Sequence, residues 1–263
     1  MIPQQFITEW AEFAPWQANE QVEQDLIISR SLVELFSDQY IAEKLAFRGG
    51  TALHKLFLEP QSRYSEDIDL VQISAEPFGR SIDQIRKLLG FLGEPRIKER
   101  DRNTTLIFSF ESEIPPVQVL KLKVETNCRE HFSLLDLRKQ HFRVNSQWFN
   151  GECNITTYEI EELLGTKLRA LYQRKKGRDL YDLYTALNSD VSVSREKIIQ
   201  VYNHYMKNEV TGIPSSEIYL KNLEAKMSDP DFLGDTTALL SPNIMYDPSD
   251  GFRLVKSELI DRM

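Results

Sequence analysis

Apolar residues return at helical spacing between Asn19 and Lys44. Val22, Leu26, Ile27, Leu32, Val33, Leu35 and Phe36 mark one face there, with acids and glutamines between them, which predicts an amphipathic helix. Ahead of it, residues 1–19 read as an arm whose Trp10, Phe13 and Trp16 pack on the main body, with Pro15 limiting any long helix. Leu45–Arg48 reads as a short strand, and residues 79–92 as a second amphipathic helix on Ile82, Ile85, Leu88 and Leu89. The period then changes to two. Thr104–Phe110 is β-branched and aromatic, and Val117–Thr126 alternates, with Val117, Val119, Lys121, Lys123 and Glu125 on one face and Gln118, Leu120, Leu122 and Val124 on the other. Pro115-Pro116 marks the turn between these strands, and further extended pieces are expected at Phe142–Val144 and Asn154–Thr157. From Tyr158 onward helical periods dominate, at 158–175, 179–188, 194–207, 215–227 and about 249–262. The pattern predicts an α+β chain, with a mixed β-sheet and flanking helices in a domain over 1–157 and a helical domain over 158–263. No flexible linker composition separates the two, so a site is expected at their junction.

The chain of 263 residues is 41 % hydrophobic, which supports an ordinary core and excludes disorder. No apolar run approaches the roughly 18 residues of a membrane span, and the N-terminus lacks the basic and apolar regions of a signal peptide. Cys128 and Cys153 have no paired spacing and no histidine cluster beside them, which reads as a reduced cytoplasmic protein without structural zinc. A net charge of −8 argues against a general nucleic-acid coat but leaves room for a local basic patch. Such a patch is expected in TKLRALYQRKKGRDLYDLY, where six residues from Lys167 to Arg178 are basic. Helical spacing would bring Lys167, Arg174 and Arg178 near one face, and the patch reads as the one dense positive region of the chain. The histidines are scattered without ligand spacing, and His54 is read as facing solvent.

The chemistry concentrates in FRGGTALHKLFLEPQSRYSEDIDLV, residues 47–71. Asp67 and Asp69 stand two apart on a predicted strand, so both point to one face while Ile68 and Leu70 point to the core. Like charges held this close repel unless a cation lies between them, and paired carboxylates suit Mg²⁺ or Mn²⁺, which also take substrate phosphates. Glu125, an isolated acid at the end of an alternating strand, supplies the third carboxylate that two-metal phosphoryl chemistry needs. Gly49 and Gly50 leave the backbone open to a phosphate, Thr51 stands where an N-cap would, and Ser65 can cap or donate to a phosphate.

At these residues the chain resembles the polymerase-β-like nucleotidyltransferase superfamily, whose motif is Gly, Gly or Ser, a spacer, then Asp-x-Asp. The spacer here, residues 51–66, is longer than the superfamily norm. The form GGTAL followed by RYSEDIDL, with Lys, Arg and Arg-Asp-x-x-Asp downstream, is similar to the AbiEii (MenT-like) toxins of type IV toxin–antitoxin systems, over about residues 45–185. The resemblance implies a polymerase-β-like core and metal ligation by Asp67, Asp69 and Glu125. It implies a nucleoside triphosphate held by Gly49, Gly50, Thr51, Ser65, Lys167, Arg174 and Arg178, with Asp179 orienting Lys167 or Arg174 or assisting directly. It also implies transfer of a nucleoside monophosphate to the 3′ end of tRNA and a cognate AbiEi-like antitoxin as partner. Two other readings stay open on the residues alone, a nucleotidyltransferase for small molecules and a nucleotide-binding interaction protein without turnover. The last 75 or so residues carry no motif.

Overall fold

The computed structural model describes residues 2–100, 103–207, 209 and 212–263. The chain opens with α1 (Gln4–Trp10) and α2 (Asn19–Phe36), and the indole of Trp10 donates to Asp25 Oδ1 at 2.9 Å, fastening the arm to α2. The helix expected over 19–44 is in fact two. The Asp38 side chain accepts from the Ile41 amide at 3.0 Å and caps α3 (Gln39–Lys44), and an aspartate favours that capping role over a place inside a helix. There follow β1 (Leu45–Arg48), α4 (Gly49–Leu56), β2 (Asp67–Gln72), α5 (Gly79–Leu88), β3 (Arg96–Arg100), β4 (Asn103–Glu111), β5 (Val119–Asn127), β6 (Leu137–Asn145) and β7 (Asn150–Tyr158). The remainder is helical: α6 (Ile160–Gln173), α7 (Gly177–Leu187), α8 (Arg195–Lys207), α9 (Ser216–Met227), α10 (Pro230–Gly234) and α11 (Pro248–Glu258).

The described strands form one mixed sheet in the order β3-β4-β5-β2-β1-β7-β6, in which β2–β5 and β1–β7 run parallel and the other pairs antiparallel. The period-two pattern survives intact on β4 and β5. Leu106, Phe108 and Phe110 face Val124, Leu122 and Leu120 in a fully packed layer, while Lys121, Lys123 and Glu125 take the opposite face. The helix α2 packs on β5, β6 and β7. The helix α6 contacts α4, α7, α8 and α9. The strand β3 has no counterpart in the sequence reading. All of its residues are exposed, so it lacks the hydrophobic alternation that marks its neighbours.

Near the C-terminus the chain returns to the N-terminal arm and to the loop that precedes β2. The Tyr64 amide donates to the Leu239 carbonyl at 2.7 Å, and the Gln17 side chain donates to the carbonyls of Thr237 and Leu240, each at 2.8 Å. This return fixes the loop that feeds β2. No helix among the described residues is long and apolar enough to cross a membrane.

Candidate active site

The register places the acids. Asp67 pairs with Lys123 and Asp69 with Glu125 across the parallel β2–β5 ladder, and Arg48 pairs with Asp69 across β1–β2. Ile68, Leu70 and Val124 are buried on the opposite face, so the alternation expected from the sequence holds and all three acids share one side of the sheet. Together with Gly50, Ser65, Lys167, Arg174 and Arg178 they line a single cleft. Gly49, Thr51 and Asp179 are not among its lining residues.

The two glycines make room for side chains. Gly49 turns the chain from β1 into α4 with φ +82°, and a Cβ there would lie 2.1 Å from Asp69 Oδ2. A Cβ on Gly50 would lie 2.2 Å from Nη2 of Arg63. The space that a Cβ would take at each glycine is therefore occupied by a carboxylate and a guanidinium. Thr51 is not the N-cap expected for it. The helix begins at Gly49 with Arg48 as N-cap, and Thr51 is buried in the first turn. Its Oγ1 is hydrogen-bonded to the Asp67 carbonyl oxygen at 2.6 Å and to Ser65 Oγ at 2.7 Å, tying the start of β2 to α4.

The basic residues meet differently from the single helical face expected of them. The helix α6 ends at Gln173, Arg174 is its extended C-cap, and Arg178 opens α7, so the bend between two helices brings them together. Two buried carboxylates hold the group. Asp179 accepts two bonds from Arg174, at 2.6 and 2.8 Å, and one from Lys167 at 3.1 Å. Asp182 accepts two from Arg63, at 2.6 and 2.8 Å, and lies 2.8 Å from Lys167 Nζ. Burial alone would raise both carboxyls. The charges of Lys167 and Arg174 on Asp179, and of Arg63 and Lys167 on Asp182, outweigh it and hold both below the usual carboxylate range.

His54 is fully buried, contrary to the solvent-facing position read from the sequence, with Nε2 at 2.9 Å from Asp182 Oδ1. Burial first, then the charge of Arg63, lowers its pKa to about 4, so the ring is neutral at pH 7. The ionised Asp182 can only accept, which puts the ring proton on Nε2 and leaves the buried Nδ1 without a partner. The sequence reading missed Arg63 and gave Asp182 no role beyond its place in the Arg-Asp-x-x-Asp motif. Asp182 was visible as the residue one turn beyond Asp179 on α7, on the same helical face, while Arg63 had no local signal.

The acids have the opposite balance. Burial, with Glu66, Asp69 and Glu125 adding to it against the opposing charge of Lys123, pushes Asp67 up to about 7. Burial and Asp69 raise Glu125 as well. Lys123 Nζ stands 3.4 Å from Asp67 Oδ1, but that oxygen is buried without a hydrogen bond. Asp67 reaches toward Lys123 and Asp69 lies against Gly49, and the charge of Asp69 acts on both Asp67 and Glu125. Among the described residues no three acidic, histidine or cysteine side chains stand gathered around one point. The donor set still suits a hard divalent cation. It consists wholly of carboxylate oxygens, one of them orphaned, with two of the carboxyls resisting ionisation in the cation's absence.

A family model described as the nucleotidyl transferase AbiEii toxin of type IV toxin–antitoxin systems matches residues 30–257. Comparison with curated proteins finds no match. Among solved structures, MenT4, a nucleotidyltransferase toxin from Mycobacterium tuberculosis H37Rv, aligns at 15 % identity over 100 % of this chain and 91 % of that one, with a TM-score of 0.67. An H. pylori protein described as a nucleotidyltransferase aligns at 17 % identity over 93 % of this chain and 96 % of that one, with a TM-score of 0.52. At these identities both structures speak for a shared fold.

Proposed function

Because the chain belongs to the AbiEii family of nucleotidyltransferase toxins, matched over residues 30–257, we propose that it transfers a nucleoside monophosphate from a nucleoside triphosphate to the 3′ hydroxyl of a tRNA. A cognate antitoxin is the protein that restrains it. The observation that carries this reading is one cleft in which Asp67, Asp69 and Glu125 face Lys167, Arg174 and Arg178. Carboxylates and cations so placed suit a substrate that is itself both metal-binding and polyanionic.

Asp67, Asp69 and Glu125 would hold Mg²⁺ or Mn²⁺. Bound there, the ions would neutralise the triphosphate and favour ionisation of the attacking hydroxyl. Lys167, Arg174 and Arg178 take the β- and γ-phosphates. Asp179 and Asp182 keep Lys167, Arg174 and Arg63 aimed at the cleft, so these cations need no reorganisation when charge builds on the leaving group. The acceptor oxygen bonds to the α-phosphorus as the bond to the bridging oxygen breaks, and pyrophosphate departs on the basic side. Glu125, the most exposed of the three acids, takes the hydroxyl proton. Incubation with each labelled triphosphate, Mg²⁺ and total tRNA is expected to place label in tRNA and release pyrophosphate. Label only on a small acceptor, or binding without transfer, would reject this acceptor.

Two further results are expected. In the metal-free protein Asp67 keeps a proton up to about pH 7, and a cation must displace it. Apparent Mg²⁺ affinity therefore rises with pH up to about 7 and levels off above. Calorimetric titration should show about one proton released per site at roughly pH 6 and little at roughly pH 8, whereas equal release at both would contradict the assignment. The second concerns Gly49→Ala. It adds a left-handed alanine, costing about 1–2 kcal/mol, and drives a methyl group into the space of Asp69 Oδ2. Melting should fall by a few degrees, and transfer on the order of 10²-fold, the usual effect of a misplacement near 1 Å. Full activity in that variant would show that the position of Asp69 is not critical.

A further inference from the structure

The strand β2 has different neighbours on its two sides. On one side β1 leads through Gly49 into α4 and the network of Arg63, Lys167 and Arg174. On the other side β5, β4 and β3 continue the sheet, and their pairing sorts charge onto one face. Arg96 pairs with Ile107 and Ile107 with Lys123, in the row of Asp67. Lys98 pairs with Thr105 and Thr105 with Glu125, in the row of Asp69. Lys121 lies two residues before Lys123 on the same face. Directly paired residues share a face, so Arg96, Lys98, Lys121 and Lys123 form one basic surface on a chain of net charge −8, contiguous with the acids of the cleft. Ile97 and Glu99 of β3 fall on the opposite face.

Arg96, Lys98 and Lys121 are exposed, and none of them is ion-paired with another described residue. Lysines on an edge strand often serve only to prevent strand addition. That explanation covers Arg96 and Lys98 on β3 but not Lys121 and Lys123, because β5 is an interior strand. At strand spacing the surface reaches roughly 14 Å from β2 to β3, which matches roughly four steps of a stacked nucleic-acid strand.

We propose that the open face of β3, β4 and β5 is the track on which the phosphodiester backbone of a single-stranded acceptor end lies, delivering its terminal hydroxyl to Asp67, Asp69 and Glu125. This rests on the nucleotidyl-transfer reading above. It adds a direction to it, since the triphosphate enters on the side of Arg174 and the acceptor on the side of Lys121.

The test is equilibrium binding, without nucleoside triphosphate, of a labelled RNA with a single-stranded 3′ end and of a DNA of the same sequence, across a salt series. The proteins are wild type, the triple variant Arg96→Ala/Lys98→Ala/Lys121→Ala, and Asp69→Ala. The triple variant is expected to bind at least about tenfold more weakly near 0.1 M salt. Its slope of log affinity against log salt should be shallower by about 2, as for three lost phosphate contacts. Its melting temperature and its binding of the four ribonucleoside triphosphates should be unchanged. Loss with RNA alone or with both strands supports the track. Unchanged affinity and slope, or a wild type that binds neither strand, overturns it. Asp69→Ala, assayed in parallel with Mg²⁺ and a labelled triphosphate, separates this proposal from the catalytic one: if it transfers nucleotide like wild type, the catalytic reading fails while the binding result stands.

Discussion

Replacing Asp69 by alanine is expected to reduce nucleotide transfer by roughly 10³-fold or more, about 4 kcal/mol of transition-state stabilisation, while the protein remains folded. Asp69 lies at the centre of the site, paired across the sheet with Glu125 on one side and Arg48 on the other, with its carboxylate against Gly49. Its side chain contributes little to the core. Ile68, Leu70 and Val71 anchor β2, and each is almost completely buried. Removing one of three crowded acids also relieves repulsion on Glu125, whose carboxyl Asp69 helps to raise. The variant should therefore melt within a few degrees of wild type. Transfer at the wild-type rate, measured side by side under saturating Mg²⁺, would remove the metal assignment.

Replacing Asp182 by alanine is expected to have the largest effect on stability. Its carboxylate is fully buried, balances the charges of Arg63 and Lys167, and accepts a hydrogen bond from His54. Removing one partner of a buried ion pair costs about 3–5 kcal/mol, because the remaining charge is left without compensation. For a chain of this size that is a fall in melting temperature on the order of 10 °C. Acid dependence gives a second check. A carboxyl whose folded pKa lies below its unfolded value adds stability that is complete above the unfolded value of 3.8 and disappears as pH falls through the folded one. Wild type should lose this part of its stability in strong acid, and the alanine variant should show less of that loss. Asp182→Asn keeps the shape and loses the charge. Measured below its melting temperature, it should transfer roughly 10- to 100-fold more slowly, with KM for the triphosphate raised. An Asn variant with unchanged KM and kcat would show that Asp182 stabilises the fold without positioning Lys167 and Arg63.

Much of the site was visible along the chain because its parts are local. Asp67 and Asp69 could be placed on one face because a strand repeats every two residues, and Glu125 could be placed because Leu120, Leu122 and Val124 alternate with Lys121 and Lys123. The glycines were legible as positions, but their purpose was not. That Gly49 and Gly50 make way for Asp69 and Arg63 depends on residues brought there by other parts of the chain. Arg63 and Asp182 are 119 residues apart, so neither announces the other. The strand β3 was missed because its partner is recognised through backbone hydrogen bonds alone, and RIKER buries nothing. The second basic surface was missed for a related reason. Arg96 and Lys98 lie on one strand and Lys121 and Lys123 on another, so neither pair forms a dense run such as the one from Lys167 to Arg178.

The sequence by itself determined the family, the alternation that exposes the acids, the turn that needs glycine and the helical character of the second half. Each of these follows from short-range sterics and hydrophobic period, which act between near neighbours. Only the tertiary structure decided how the charges are partnered: Asp182 with Arg63, Lys167 and His54, Asp179 with Arg174 and Lys167, and Asp67 with Lys123. It also decided that Leu239, in a stretch without motifs, helps to wall the cleft. Charge interactions depend on distance through space and on burial, and neither is set until the sheet and the C-terminal helices have closed around the same cleft.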